Sequence, residues 1–321
     1  MNDRIRKAAE IAVKQCMNLK ESETFLVVTD NLEFEIGNAI FDVARQIAKE
    51  SFLLMLKPRQ IDGEEPPEQV AQLMKTVDVI IAPTFKSLSH TEARRTASAQ
   101  GARIATMPGI LMETFVRAMI ADYHRIASLS ERVAEALSGA KIARVKTAKG
   151  TDIVMSLEGR RGIADTGLFH QPGAFGNLPA GEGYIAPVEG TAEGTIVVDG
   201  SMGQSGVLSA GEYITLHVKN GMVEKIEGGR AAAWLMSILA EQPPEAKNIA
   251  ELGIGTNYAA RLCGSILEDE KVLGTAHIAI GDNASMGGNV HVPIHLDGII
   301  LSPTIWLDGK TIMRDGKLLI D

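Results

Sequence analysis

Phe25-Leu26-Val27-Val28, then Ile36, Ala39, Ile40, Val43, Ala44 and Ile47 at helical spacing, then Phe52 to Leu56: this stretch reads as strand, helix, strand. The pattern continues. Val70, Leu73 and Met74 predict a helix, Val77-Asp78-Val79-Ile80-Ile81-Ala82 a third strand, Thr91 to Gln100 another helix, and Arg103-Ile104-Ala105 an extended segment. Such alternation implies a parallel sheet with helices on both faces. A nucleotide site at the end of its first strand is not expected. The turn there is Asp30-Asn31-Leu32-Glu33, with no glycine and two carboxylates, whereas a phosphate needs close backbone approach and positive potential.

Outward from this half, residues 126 to 140 predict a helical connector, and from about Ile142 the pattern changes. Thr151 to Leu157, Gly194 to Val198 and Tyr213 to Val218 read as strands. Asn220-Gly221 and Asp315-Gly316 are tight-hairpin signals. One helix, around Arg230 to Ala240, ends before Pro243-Pro244. The expected fold is therefore an α/β N-terminal domain with a parallel sheet (residues 1–140). A β-rich α+β C-terminal metal-binding domain (residues 141–321) is expected to follow.

Composition narrows the function classes. Aromatic residues are 4% of the 321, too few for a base-stacking surface, and the net charge of −8 argues against a phosphate-backbone ligand. Cys16 and Cys263 are the two cysteines, with no Cys-x-x-Cys, which fits a reducing, cytoplasmic setting. The N-terminus reads as an amphipathic helix carrying Ile5, Ala9, Ala12, Val13 and Cys16, and not as a signal peptide. No stretch reaches the length of a membrane span.

The chemistry concentrates near the C-terminus. If residues 293 to 299 are extended, His295 and Asp297 point to one face and can hold one metal ion together. His277, His291 and the acidic run Glu268-Asp269-Glu270 lie just upstream, and Glu182 and Glu251 complete a His/Asp/Glu set without Cys. Such a set suits zinc, cobalt, manganese or ferrous iron. Each residue also has a plainer reading: Glu182 as an exposed loop carboxylate, and His277 as a core histidine bonded to a carbonyl. Glu251 sits among apolar neighbours and needs a partner or a metal if buried. His217 reads as a solvated strand residue, and His90 and His124 as structural, while His170 and His291 stay open between supporting the ligands from behind and facing the substrate. No Gly-x-Ser-x-Gly elbow or His-Glu-x-x-His helix is present. Cys263 has only Arg261 as a nearby cation, which does not make a reactive thiol. Metal-assisted chemistry is the surviving class.

At these residues the chain resembles the aminopeptidase T / aminopeptidase S family of metalloaminopeptidases. Asn177-Leu178-Pro179-Ala180-Gly181-Glu182-Gly183-Tyr184-Ile185-Ala186-Pro187 resembles the family loop that supplies one metal-binding Glu. Ala250-Glu251, the histidine of His277-Ile278-Ala279-Ile280-Gly281, and His295-Leu296-Asp297 match the rest of its ligand set. The resemblance implies two divalent ions (Zn, Co or Mn) held by Glu182, Glu251, His277, His295 and Asp297, with Glu182 and Glu251 also catalytic. It further implies a small peptide substrate and a homodimer. The family Tyr seven residues after the histidine is Ala284 here, so Tyr184 or Tyr258 would have to substitute for it.

The same fold resembles the 2,5-dihydroxypyridine dioxygenases, which hold one Fe(II) with two His and an Asp. His277, His295 and Asp297 would furnish a comparable triad, although those enzymes place a His where this chain has Glu251. A non-catalytic metal-binding homologue is a third reading.

Overall fold

The computed structural model describes residues 2–320. The chain forms two compact units, Met1–Ala127 with Thr166–Ala180, and Ser128–Asp165 with Gly181–Asp321. The helix Tyr123–Ser138 carries the chain from the first to the second. The division is more interleaved than one boundary at 140/141. The chain returns to the first unit because Phe175–Asn177 pairs with Arg103–Pro108 and extends that sheet.

The first unit is built on a parallel sheet ordered Glu50–Leu56, Thr24–Asp30, Val79–Thr84, Arg103–Pro108, Phe175–Asn177. Its connections run through the helices Phe34–Ala44, Glu68–Met74 and Glu92–Ala99, as the apolar spacing predicts. The central strands are buried on both faces, hence their unbroken Val/Ile/Leu runs, whereas Glu50–Leu56 lies at an edge and leaves Phe52 and Met55 exposed. At the first turn the Asp30 carboxylate accepts the amides of Leu32, Glu33 and Phe85 at 3.0, 3.1 and 2.7 Å. A protein carboxylate already holds the donors an anionic ligand would use. Burial, with Asp30 beside it, pushes Glu33 up to about 7.

The second unit carries two sheets. The larger runs Met222–Gly228, Ile214–Lys219, Glu193–Val198, Asp152–Ser156, Ile142–Lys146, Thr304–Leu307, Lys310–Arg314, Lys317–Leu318. The smaller is antiparallel, in the order His295–Leu301, Thr275–Gly281, Ile249–Gly255, Glu182–Ile185, Ile163–Asp165. Residues of both sheets, among them Ile153, Ile196 and Leu216 with Leu252, Ile278 and Ile300, belong to one apolar core. The hairpin signals hold: Asn220 and Gly221 have φ of 49° and 73°, and Asp315 and Gly316 of 47° and 78°. These are the left-handed pairs a two-residue turn requires.

One ion pair pins the first unit. The Arg103 guanidinium donates to both Glu23 oxygens at 2.7 and 3.0 Å and to the Met17 carbonyl at 2.9 Å. Burial raises the Glu23 pKa, but the bonds from Arg103 and the Lys20 amide outweigh it and leave the value lowered. A depressed carboxylate pKa adds stability above the unfolded value, and that stability is lost as pH falls through the folded value. Arg103→Met is expected to cost about 3 kcal/mol at neutral pH and to remove this acid-sensitive component. Denaturant melts of both proteins at pH 7 and pH 3 check it, and an equal loss at both pH values would contradict the assignment.

Candidate metal centre

The register of the smaller sheet assembles the site. Directly opposed residues of antiparallel strands share a face. Asp165 opposes Glu182, Glu182 opposes Gly255, Tyr184 opposes Gly253, and Gly253 opposes His277. Glu251 opposes Ala279, Ala279 opposes Asp297, and Gly281 opposes His295. One face therefore presents Asp165, Glu182, Tyr184, Glu251, His277, His295 and Asp297, while Leu252, Ile254, Ile278 and Ile280 turn to the core. A bulge between Ile249 and Glu251 separates Ile249, opposite Ile280 in the core, from Glu251 on the site face. Glycine is required at 253: a Cβ there would lie 1.9 Å from His277 Nε2.

The outer part of this face is the set Glu251, His295, Asp297. His295 Nε2 lies 3.3 Å from Glu251 Oε2 and 3.4 Å from Asp297 Oδ1. Bond lengths of about 2.0–2.2 Å to a common ion place neighbouring ligand atoms at roughly this separation. His295 Nδ1 lies 2.7 Å from the Asp282 carbonyl, which can only accept, so Nδ1 bears the proton and Nε2 offers its lone pair to the cluster. Asp297 Oδ1 is buried with no hydrogen-bond partner. An orphaned carboxylate oxygen beside an imidazole lone pair fits a cation. The His295 side chain is 30% exposed, so the set opens outward there.

The inner part is Glu182, Glu251, His277. His277 Nε2 lies 3.1 Å from both Glu182 Oε2 and Glu251 Oε1, and its Nδ1 is buried without a hydrogen-bond partner. Lys271, also buried, places Nζ 2.6 Å from Glu182 Oε1, 2.7 Å from Glu270 Oε1 and 3.3 Å from Asp165 Oδ2. Burial opposes charge on both histidines. Glu182 and Glu251 outweigh it at His277, and Asp297 and Glu251 at His295, so both pKa values are raised. Burial likewise opposes ionisation of Glu182 and Asp297, but the neighbouring cations hold both carboxylates below their ordinary values. Burial, reinforced by Glu182, Glu251 and Asp165, raises Tyr184 and keeps its phenol protonated.

All five expected ligands thus come together, with some departures from expectation. Glu182 opens a strand instead of lying in a loop. His277, His295 and Asp297 do not form one ligand set among the described residues, because Glu251 stands between the two sets. In the acidic run, Glu268 accepts the Arg261 amide and Asp269 accepts the Cys263 and Gly264 amides and the Ser201 hydroxyl. Only Glu270 turns toward the cluster, through Lys271. His291 lies outside both sets, its exposed ring 2.9 Å from Asp282. Tyr258 is 42% exposed. His170 meets the Gln15 carbonyl at 2.8 Å in the first unit. Sequence reasoning missed Lys271, Asp165 and the Asp282 carbonyl. The one available signal was Lys271 ending an acidic run just before an apolar strand.

Gly253→Ala is expected to displace the His277 ring and weaken divalent-metal binding by about 10–100-fold. Metal titration of folded protein checks this, and unchanged affinity would show that the ring position does not matter to the centre.

Comparison with known proteins gives the centre its context. The family model described as NicX: 2,5-dihydroxypyridine 5,6-dioxygenase matches residues 15–320. A 2,5-dihydroxypyridine 5,6-dioxygenase of Pseudomonas putida KT2440 is 27% identical over 194 residues, covering 57% of this chain and 55% of that relative. The chain thus matches about half the length of this curated relative. Among solved structures, a 2,5-dihydroxypyridine dioxygenase of Pseudomonas putida KT2440 superposes with a TM-score of 0.82 at 20% identity, over 98% of this chain and 97% of that one. AmpT, the aminopeptidase T of Thermus thermophilus, superposes with a TM-score of 0.71 at 16% identity, over 99% of each chain. These superpositions establish the α/β and antiparallel architecture, and the likeness to aminopeptidase T extends to the fold alone. The expectation of a hydrolase, a metalloprotease acting on peptides, is corrected, since the family model and the curated relative both name a dioxygenase. No helix among the described residues is long and apolar enough to cross a membrane. The chain belongs to the 2,5-dihydroxypyridine 5,6-dioxygenase (NicX) family.

Proposed function

We propose that this chain is a ring-cleaving dioxygenase acting on a small hydroxylated pyridine, with Fe(II) held by Glu251, His295 and Asp297. The carrying observation is that a chain matched by the dioxygenase family over residues 15–320 brings these three donors within 4.8 Å of one another. Mixed imidazole and carboxylate donors with open positions suit non-haem ferrous iron. Bound there, iron supplies the one-electron chemistry that lets dioxygen react with an aromatic ring.

The protein's own contributions follow from the geometry. The Asp282 carbonyl fixes the His295 tautomer and ring orientation. Glu251 and Asp297 supply two negative charges, one more than a two-His, one-carboxylate triad, and these match the charge of a divalent ion. His295, the one partly exposed member, marks the approach for a planar substrate. Tyr184, held protonated, is a hydrogen-bond donor on the same face.

Protein reconstituted anaerobically with Fe(II) is expected to consume dioxygen in step with loss of 2,5-dihydroxypyridine absorbance. His295→Ala is expected to lower this rate by about a hundredfold or more. No oxygen uptake with any dihydroxypyridine, in protein shown to hold iron, would end this reading.

A further inference from the structure

One residue links the site to a further histidine. The strand Thr275–Gly281 runs into Asp282, and the chain returns as His295–Leu301. Every polar atom of Asp282 is engaged. Its amide donates to the Ile294 carbonyl at 2.8 Å, and its own carbonyl meets His295 Nδ1 at 2.7 Å. Its carboxylate accepts the amides of Ala284 and Val292, each at 3.2 Å, and lies 2.9 Å from His291 Nδ1. Both histidine rings thus meet the same residue, which keeps their Nδ1 atoms within about 12 Å of each other. Burial alternates along the returning chain. Val292, Ile294 and Leu296 pack on the apolar core, whereas His291, Pro293 and His295 are exposed. His291 therefore emerges on the same side as His295. The loop that carries it is braced. Glu189 Oε1 accepts from Asn283 Nδ2 at 2.9 Å and from the Asn289 amide at 2.7 Å, and Arg160 donates to the Gly287 carbonyl.

A bond to a side chain that is 90% exposed adds little stability. What it does is set the ring. A carboxylate only accepts, so His291 Nδ1 bears the proton and the neutral ring offers its Nε2 lone pair outward. Nε2 has no partner among the described residues. We propose that His291 recognises a hydroxyl of the substrate ring through Nε2, with Asp282 positioning His291 and His295 together, a role that rests on the dioxygenase reading above. A hydroxylated pyridine arriving at the exposed edge of His295 comes within reach of an immobilised acceptor. Once the ring covers that acceptor, an analogue without the hydroxyl leaves it unpaired, which is how such sites discriminate. His291 touches the substrate, whereas Asp282 acts through the two histidines.

The test reads binding instead of turnover. Full-length protein loaded with Fe(II) is titrated by calorimetry in the absence of oxygen. The ligands are 2,5-dihydroxypyridine and the two analogues that each lack one hydroxyl, 2-hydroxypyridine and 3-hydroxypyridine. His291→Ala is expected to weaken the diol about tenfold. It should weaken equally the analogue that retains the recognised hydroxyl and leave the other unchanged. Iron content should stay at the wild-type value, since His291 lies outside both ligand sets. His291→Gln, which keeps an acceptor, should recover part of the loss. Asp282→Ala keeps the carbonyl that orients His295 and removes the carboxylate. It should also lose affinity for the diol, with no further loss once His291 is replaced as well. Equal weakening of all three ligands in His291→Ala, or none, overturns the proposal and leaves the dioxygenase reading standing. Wild-type protein that holds iron and binds no diol overturns both. Additive losses in the double variant overturn the role of Asp282. If Asp282→Ala does not fold, the His291 variants, changed only at an exposed side chain, still decide.

Discussion

Negative charge in a buried place is the constraint from which this centre follows. Asp165, Glu182, Glu251, Glu270 and Asp297 converge on Lys271, His277 and His295. Even with both histidines protonated, carboxylates outnumber cations by two. Carboxylates cannot stay ionised in a dry cluster without compensation. Without an ion, protons compensate. Burial, beyond what Lys271 offsets, pushes Glu270 up to about 8 and Asp165 to about 6. With His295 neutral as its ligand, a single divalent cation between Glu251, His295 and Asp297 would cancel two of the three negative charges then in excess. The charge balance and the ligand spacing thus favour the same occupant.

Sheet register turns this chemistry into geometry. The site face alternates donors with the smallest side chains: Gly253 between Tyr184 and His277, and Ala279 between Glu251 and Asp297. Larger residues there would fill the space the donors converge on, as the 1.9 Å approach of a Cβ at 253 to His277 illustrates. The opposite face carries Leu252, Ile254, Ile278, Ile280 and Ile300, which join the apolar core of the second unit. Because a one-residue slip would exchange the two faces, burying the apolar face also fixes the site.

Much of this was legible in the sequence, because period-two and period-3.6 patterns report burial directly. Val79–Thr84 and Phe34–Ala44 lie close to where their apolar residues place them. His295 and Asp297 share a face because extended chain alternates. What stayed hidden depends on long-range pairing. No local pattern tells that Phe175–Asn177 returns to the parallel sheet. Nor does any tell that Glu251 stands between two ligand sets, or that Lys271 swings onto Glu182 from 89 positions away. The peptidase expectation is overturned by the family model and the curated relative, which both name a dioxygenase. Ligand identity was readable along the chain, but the partners that set each ligand's protonation were not.

The structural neighbours sharpen that point. A dioxygenase and an aminopeptidase superpose on this chain with TM-scores of 0.82 and 0.71, so the scaffold accommodates both oxidative and hydrolytic centres. Chemistry on such a scaffold turns on which donors are free to bind an ion. Here Glu182 spends Oε1 on an ammonium, while its Oε2 and Asp297 Oδ1 are both buried without a hydrogen-bond partner. Hydrolysis by paired ions needs both sets open, with a water held between two metals. An oxygenase centre needs one ion with vacant positions, reached from outside. The outer set is the more accessible of the two, through the partly exposed His295, whose orientation is set by a backbone carbonyl as much as by the other ligands.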